Sequence, residues 1–327
     1  MDLPVLSLQP YFQAVADTAG DIASLSTALE SRAACKELLQ SVRHACEEVG
    51  FFVITDHGVS SELIAALRDC CKGFFGRPPQ SVILSMVGSS ASRFAWLDYT
   101  ADAFEKLGSW HLGPVANRAS MPWQLDSDQM QMHWLEYYEA MRGLTLALMR
   151  LFATALGLSV DFFDAALSNP KSALRAIHYA EIDSTELSEL GGAVTRSAEH
   201  TDWGCVTILL ADDEVGGLEL KDKHGQWHAV AAAEGGLIVN LGELLPFWTE
   251  GLWVATPHRV VARAANKAAR LSIPFFGLVN RDTPLQPLRV SARDSEVAAA
   301  GLLEPLTAGQ FFDEHEKFSA RHKDQKR

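Results

Sequence analysis

The chain has 327 residues, is 48% hydrophobic and 21% charged, and carries 28 basic against 41 acidic side chains, a formal net charge of −13. That composition excludes a globally disordered chain, and the length suffices to bury a core without disulfides or a structural metal. The acidic balance argues against a nucleic-acid binder, which needs a basic footprint, and no apolar run reaches the roughly 20 residues of a membrane span.

Met1-Asp2-Leu3-Pro4 has no basic stretch leading into an apolar one, so no secretory signal is expected. Cysteines stand at 35, 46, 70, 71 and 205, an odd set with two neighbours. Each is read as a small buried hydrophobe in a reducing, cytoplasmic setting.

In chain order, residues 33–49 place Leu38, Leu39, Val42, Ala45, Cys46 and Val49 at helical spacing, and Gly50 closes the helix. A strand entering a turn follows over 51–59. Ser60 is a plausible N-cap for a helix over 60–75 that carries Leu63, Ile64, Leu67 and Cys71. The strongest helix spans 128–156, with a stripe from Trp134 and Leu135 through Phe152 to Leu156, ended by Gly157. After residue 170 short β-rich runs take over at 173–182, 205–212, 216–222, 226–231, 235–242, 253–261 and 269–279, with a hairpin turn at Lys223-His224-Gly225. Such runs without intervening helices predict a sandwich or jelly roll. An amphipathic helix is expected over 307–318, before a charged tail. Without repeats or a low-complexity linker, one domain is expected over 1–327. It divides into a mainly helical region (1–170), a jelly-roll core with the metal site (171–282), and a C-terminal lid, helix and tail (283–327).

Eleven histidines are too many to be signals individually. His200-Thr201-Asp202 is different, because on an extended segment positions i and i+2 share a face. A later strand supplies His258, 58 residues on. Two imidazoles and a carboxylate on one face suit a non-haem Fe(II) centre with positions left open for a cosubstrate and O2. In the next strand, Arg270 and Ser272 also share a face and offer a charged fork and a hydroxyl to one carboxylate. Arg270 opens an apolar run, where a charge needs a partner.

Taken together, His200-Thr201-Asp202-Trp203-Gly204, Asn240-Leu241-Gly242-Glu243, Trp248-Thr249, Thr256-Pro257-His258-Arg259-Val260 and Arg270-Leu271-Ser272-Ile273-Pro274 resemble the iron(II)/2-oxoglutarate-dependent dioxygenases of the isopenicillin N synthase-like superfamily. The GFFVITDHGV segment at 50–59 resembles that family's recurring N-terminal motif, so the likeness runs collinearly over about residues 40–280. The resemblance implies a mixed α and β fold, a distorted double-stranded β-helix (jelly roll) flanked by N-terminal helices and a C-terminal helix. It implies that His200, Asp202 and His258 hold Fe(II), and that Arg270, Ser272 and Tyr179 bind the distal carboxylate of 2-oxoglutarate. It implies O2-dependent hydroxylation, desaturation or cyclisation of a small molecule, with succinate and CO2 released. The chain departs from the family at Ile177 and Ala180, where Asn and Pro are common.

For substrate contacts the resemblance points to the loop Ala101–Gln124, with Phe104, Lys106, Trp110, His111 and Trp123 as candidates, and Trp203 and Phe276 are further candidates. Ordinary loop packing accounts for each equally well. His315 and Lys317 read as solvated surface. A secondary metabolite, terpenoid, amino-acid derivative or nucleobase would fit, taken by a monomer without nucleic-acid or membrane partners. Three alternatives stay open at the level of sequence. One is an iron oxidase of the same fold that holds its own substrate at Arg270 without 2-oxoglutarate. Another is a zinc hydrolase, which leaves Arg270 and Ser272 without a task. The third is a binding module, which would be expected to have lost a ligand.

Overall fold

The protein is described by a computed structural model covering residues 2–76, 109–115 (as backbone), 128–211, 215–231, 233–288 and 306–315. The N-terminal region builds a short strand β1 (Val5–Ser7), helices α1 (Gln9–Asp17), α2 (Ile22–Ser31) and α3 (Ala33–Glu48), strand β2 (Phe51–Thr55) and helix α4 (Ser61–Phe75). Ser60 caps α4 as expected, its hydroxyl accepting from the Leu63 N–H at 3.1 Å. Strand β3 (Ser109–Val115) precedes the long helix α5 (Asp128–Ala155).

At the end of α3 the chain must reverse into β2, and Gly50 takes φ +67° to do so. A Cβ at Gly50 would collide with the Val254 carbonyl. The same junction receives the Val254 N–H on the Cys46 carbonyl (3.0 Å) and the Thr256 hydroxyl on the Val49 carbonyl (2.5 Å). The helix end therefore fixes the segment that leads into His258.

The remaining strands are β4 (Ala173–Tyr179), β5 (Ala193–His200), β6 (Val206–Leu210), β7 (Leu218–Lys221), β8 (Trp227–Ala229), β9 (Leu237–Leu241), β10 (His258–Arg263) and β11 (Arg270–Gly277). Among the described residues they form a seven-stranded sheet, β1-β2-β9-β6-β11-β4-β3, and a four-stranded sheet, β5-β10-β7-β8. Alternation sorts the larger sheet into two faces. Leu271, Ile273 and Phe275 of β11 join Ile208 of β6 and Val239 of β9 in one cluster with Tyr138, Met141 and Phe152 of α5. Phe51, Val53, Leu209 and Ile238 point the other way and meet Leu218, Leu220 and Val260 of the smaller sheet. Side chains of this size each gain about 1.5–3 kcal/mol from full burial, so both interfaces hold the register. The fold is the expected jelly roll, with helices on the outer face of its larger sheet.

Several local expectations change. Short helices α6 (Ser184–Glu189) and α7 (Leu244–Trp248) interrupt the β-rich half, where the sequence predicts strands without intervening helices. β10 begins only at His258, because residues 253–257 are committed to the α3 junction. The loop expected over 101–124 contains β3, which adds an antiparallel edge to β4. A helix does occupy 308–315, numbered α8 here. Cys35, Cys46, Cys71 and Cys205 are buried, and Cys70 is half-buried.

Candidate active site

His200 is the last residue of β5 and His258 the first of β10, and the two are cross-strand partners. Their ring centroids lie 4.3 Å apart. Asp202 follows on the turn into β6, so the His-x-Asp spacing straddles a strand end instead of lying wholly within a strand. His200 Nε2 is 3.8 Å from Asp202 Oδ1, and His258 Nε2 is 3.9 Å from Asp202 Oδ2. One donor atom from each of the three residues lies within 4.8 Å of the others.

Hydrogen bonds orient this set. His200 Nδ1 meets the Ala198 carbonyl at 2.8 Å, and His258 Nδ1 meets the Thr256 carbonyl at 3.1 Å. A carbonyl only accepts, so each Nδ1 carries the proton and each Nε2 turns a lone pair inward. Asp202 Oδ2 accepts from the Thr207 hydroxyl (2.6 Å) and the Asn240 amide (2.8 Å). Burial holds the His258 imidazole below its usual pKa, and the neighbouring His200 ring acts the same way, against the opposing pull of Asp202 and the Thr256 carbonyl. The neutral form that results is the one that ligates a metal. Two oriented imidazoles and one anchored carboxylate fit a divalent iron of the two-histidine, one-carboxylate type, and their second hydrogen bonds are of the kind such ligands require.

The motif glycines explain the tightness of the turn. A Cβ at Gly204 would strike the Gly277 carbonyl, and one at Gly242 would strike the Gly204 backbone. Three chain segments cross there, tied by Cys205 N–H to Gly277 O (2.9 Å) and Gly242 N–H to Cys205 O (2.9 Å).

Arg270, Ser272 and Tyr179 come together through register. Arg270 pairs with Tyr179 and Ser272 with Ile177, so all four side chains share one face. Arg270 is 1% exposed and its guanidinium lies 5.7 Å from the Tyr179 ring centroid. Burial raises the Tyr179 phenol, offset in part by the charges of Arg270, Arg196 and Arg175. Arg196 is engaged by three carbonyls, those of Ala180, Lys267 and Ala268, at 2.8–3.0 Å. Phe276 occupies the same face of β11 two pairs further on, opposite Thr207, with the Arg175 guanidinium 5.6 Å from its ring.

Other candidates fall elsewhere. Trp203 packs against the helix-side cluster and the His315 ring, 5.6 Å between centroids. His315 is not the solvated residue expected. Its Nε2 meets Glu243 Oε2 at 2.8 Å and its Nδ1 meets the Phe311 carbonyl at 3.0 Å, because α8 folds back over the turn that carries Asp202. Trp110 and His111 lie in β3, in register with His178 and Ile177. Phe104, Lys106, Trp123 and Lys317 lie outside the described residues. His57 of the N-terminal motif serves structure, meeting the Gly235 carbonyl at 3.1 Å and accepting from the Val59 N–H at 3.2 Å.

Thr207, Asn240, Glu243 and Arg175 were not singled out for roles from the sequence. Asn240 had a readable signal, since an amide inside the buried strand Leu237–Leu241 demands a partner.

Comparison with known proteins agrees with this geometry. Residues 170–278 match the model of the 2OG-Fe(II) oxygenase superfamily. Residues 21–82 match that of the N-terminal region of a non-haem dioxygenase in morphine synthesis. The chain is 31% identical over 275 residues to a 2-oxoglutarate-Fe(II) type oxidoreductase of Emericella nidulans, covering 76% of each chain. It is 30% identical to the clavatol oxidase of Penicillium crustosum, covering 80% of this chain and 86% of that one. In fold it is similar to a full-length Neurospora crassa protein solved in complex with alpha-KG (TM-score 0.74, 22% identity, 96% of this chain and 95% of that one).

Proposed function

The chain belongs to the 2OG-Fe(II) oxygenase superfamily, and on that premise we propose that His200, Asp202 and His258 hold the iron while Arg270, Ser272 and Tyr179 hold 2-oxoglutarate. The protein is an Fe(II)- and 2-oxoglutarate-dependent dioxygenase. The observation that carries the residue assignment is the convergence of three donor atoms within 4.8 Å, each ligand oriented by a further hydrogen bond. When bound, iron would activate O2, the oxidant, with two of its four electrons coming from 2-oxoglutarate as it decarboxylates to succinate and CO2 and two from one C–H bond of the substrate.

The chain's own residues do the rest. His200 and His258 present lone pairs from fixed tautomers, and Asp202 supplies the negative charge, steadied by Thr207 and Asn240. Arg270 offers a buried fork to the far carboxylate of the cosubstrate, Ser272 a hydroxyl, and Tyr179 a phenol kept protonated by burial. Phe51, from the apolar cluster between the sheets, packs edge-on against the His258 ring with centroids 5.3 Å apart and shields that side of the centre from water. Phe276 and Arg175, beyond the carboxylate clamp, would face a small organic substrate. Relatives whose printed names include a clavatol oxidase and a validamycin A dioxygenase support a secondary metabolite as the substrate class. Among the described residues no helix is long and apolar enough to cross a membrane.

The test is an anaerobic titration of apo-protein with Fe(II) and then 2-oxoglutarate, followed by visible absorption. A weak charge-transfer band that needs both components supports the assignment. Its presence in Asp202→Ala, or its absence from the wild type, overturns it.

A further inference from the structure

The turn that carries two of the three proposed ligands is held from one side by Glu243. The Glu243 N–H donates to the Asp202 carbonyl at 2.8 Å. Its Oε1 accepts from the hydroxyl of Thr201, the residue between His200 and Asp202, at 2.5 Å. Its Oε2 meets His315 Nε2 at 2.8 Å, across 72 residues of sequence. His315 is also fixed at its other nitrogen by the Phe311 carbonyl, 3.0 Å away, and its ring lies against Trp203 and Phe311 (centroids 5.6 and 4.2 Å). Trp203 is the residue that follows Asp202. The turn is thus gripped on both sides of Asp202 by one carboxylate and one imidazole from a distant helix.

Hydrogen-bond bookkeeping makes the grip specific. Both oxygens facing His315 are acceptors, a carbonyl and a carboxylate. The ring serves both only with a proton on each nitrogen. The contact is then a charge-assisted pair with fixed geometry at both ends. Its two side chains are each 29% exposed, so as a contribution to overall stability it would count for little. Its value lies in position. The carboxylate that receives His315 is the one that holds Thr201, so any swing of Glu243 is passed to the His200-Thr201-Asp202 backbone.

We propose that Glu243 and His315 are positioning residues, a latch by which the C-terminal helix α8 sets the geometry of the metal-bearing turn. The proposal rests on the reading of His200, Asp202 and His258 as the metal ligands. Loss of the latch leaves the ligands in place but lets the turn relax, which weakens metal binding and changes the ligand field. Outer partners of metal ligands commonly control about 10- to 100-fold in affinity. The latch acts one bond further out, and about tenfold is expected.

The experiment titrates apo-protein anaerobically with Co(II), read by its visible ligand-field absorption, in wild type, His315→Ala, His315→Gln, Glu243→Ala and the Glu243→Ala/His315→Ala double variant. Apo-protein melting is recorded for each. The expected result is a roughly tenfold weaker Co(II) Kd and an altered band in His315→Ala, with recovery in His315→Gln, whose amide donates to Glu243. The double variant should be no worse than Glu243→Ala alone, because the two residues act in series. A His315→Ala protein with wild-type Kd and band overturns the latch, as does a double variant that loses the product of the two single effects. A lowered apo-melting temperature that His315→Gln does not recover also overturns it, since that is mere packing. Failure of the underlying reading looks different: wild type would then take up no Co(II), or Asp202→Ala would bind it as well as wild type.

Discussion

Replacing Asp202 by Asn should separate the metal from the fold. Asp202 is 7% exposed, and its Oδ2 receives Thr207 at 2.6 Å and Asn240 at 2.8 Å. An Asn carbonyl can accept both bonds. Its amide then takes the place of Oδ1, 3.8 Å from His200 Nε2, which is an acceptor in the tautomer described above. The neutral variant also avoids the cost of keeping a charge buried without a metal. Asp202→Asn apo-protein should therefore melt at or above the wild-type temperature. Metal should act only on the wild type. At free metal 100 times Kd, binding adds about 2.7 kcal/mol. At roughly 2 °C per kcal/mol for a large domain, that is an upward shift of about 5 °C. Anaerobic thermal denaturation with and without Fe(II) reads both quantities. An Asp202→Asn protein that keeps the metal-dependent shift, or that melts well below wild type without metal, would refute the reasoning.

Arg270→Ala should weaken 2-oxoglutarate binding by about 10- to 100-fold, the worth of a charged hydrogen-bonded contact at roughly 1.5–3 kcal/mol, and leave Fe(II) affinity unchanged; calorimetric titration of each ligand separates the two. Gly50→Ala meets both a φ of +67° and the Val254 carbonyl, so it should cost well over about 1 kcal/mol and lower the denaturant midpoint. In the hairpin joining β7 to β8, the bond to His228 and the backbone N–H groups of Gln226 and His224 hold Asp222 down to about 2, from 3.8. A depressed carboxylate stabilises the fold at pH above its unfolded value, and that contribution is lost as pH falls through the folded one. His228→Ala should therefore reduce stability near neutrality, with the difference from wild type shrinking below about pH 4, as acid titration of unfolding would record.

The parts of this molecule that periodicity governs were legible from its residues. The stripe of α5 is strong because one face of the helix packs against a core, and β6, β9 and β11 stand out as short apolar runs because both of their faces are buried. β5 was not legible, for the opposite reason. Within Ala193–His200 the buried side chain is Arg196, so the strand carries no apolar alternation to read. β3 was hidden by Gly113 and Pro114, which punctuate a sequence like a loop and are tolerated at a sheet edge. In the site, residue types and spacing single out His200, Asp202 and His258, whose donor atoms converge, and Arg270 and Ser272, which share a face of β11. What sequence order could not supply was which polar groups fold back on them. Thr207 and Asn240 reach Asp202 from neighbouring strands, and His315 reaches Glu243 from the far end of the chain.

The two histidines come from the four-stranded sheet, whereas the groups that anchor Asp202 come from β6 and β9 of the seven-stranded one. An ion held among them would be a rivet between the two sheets. Removing it with a chelator should loosen that junction selectively. Amide hydrogen exchange would then quicken at the β5–β6 turn and the start of β10, while helices α3 and α5, packed in the cluster on the outer face of the larger sheet, keep their protection.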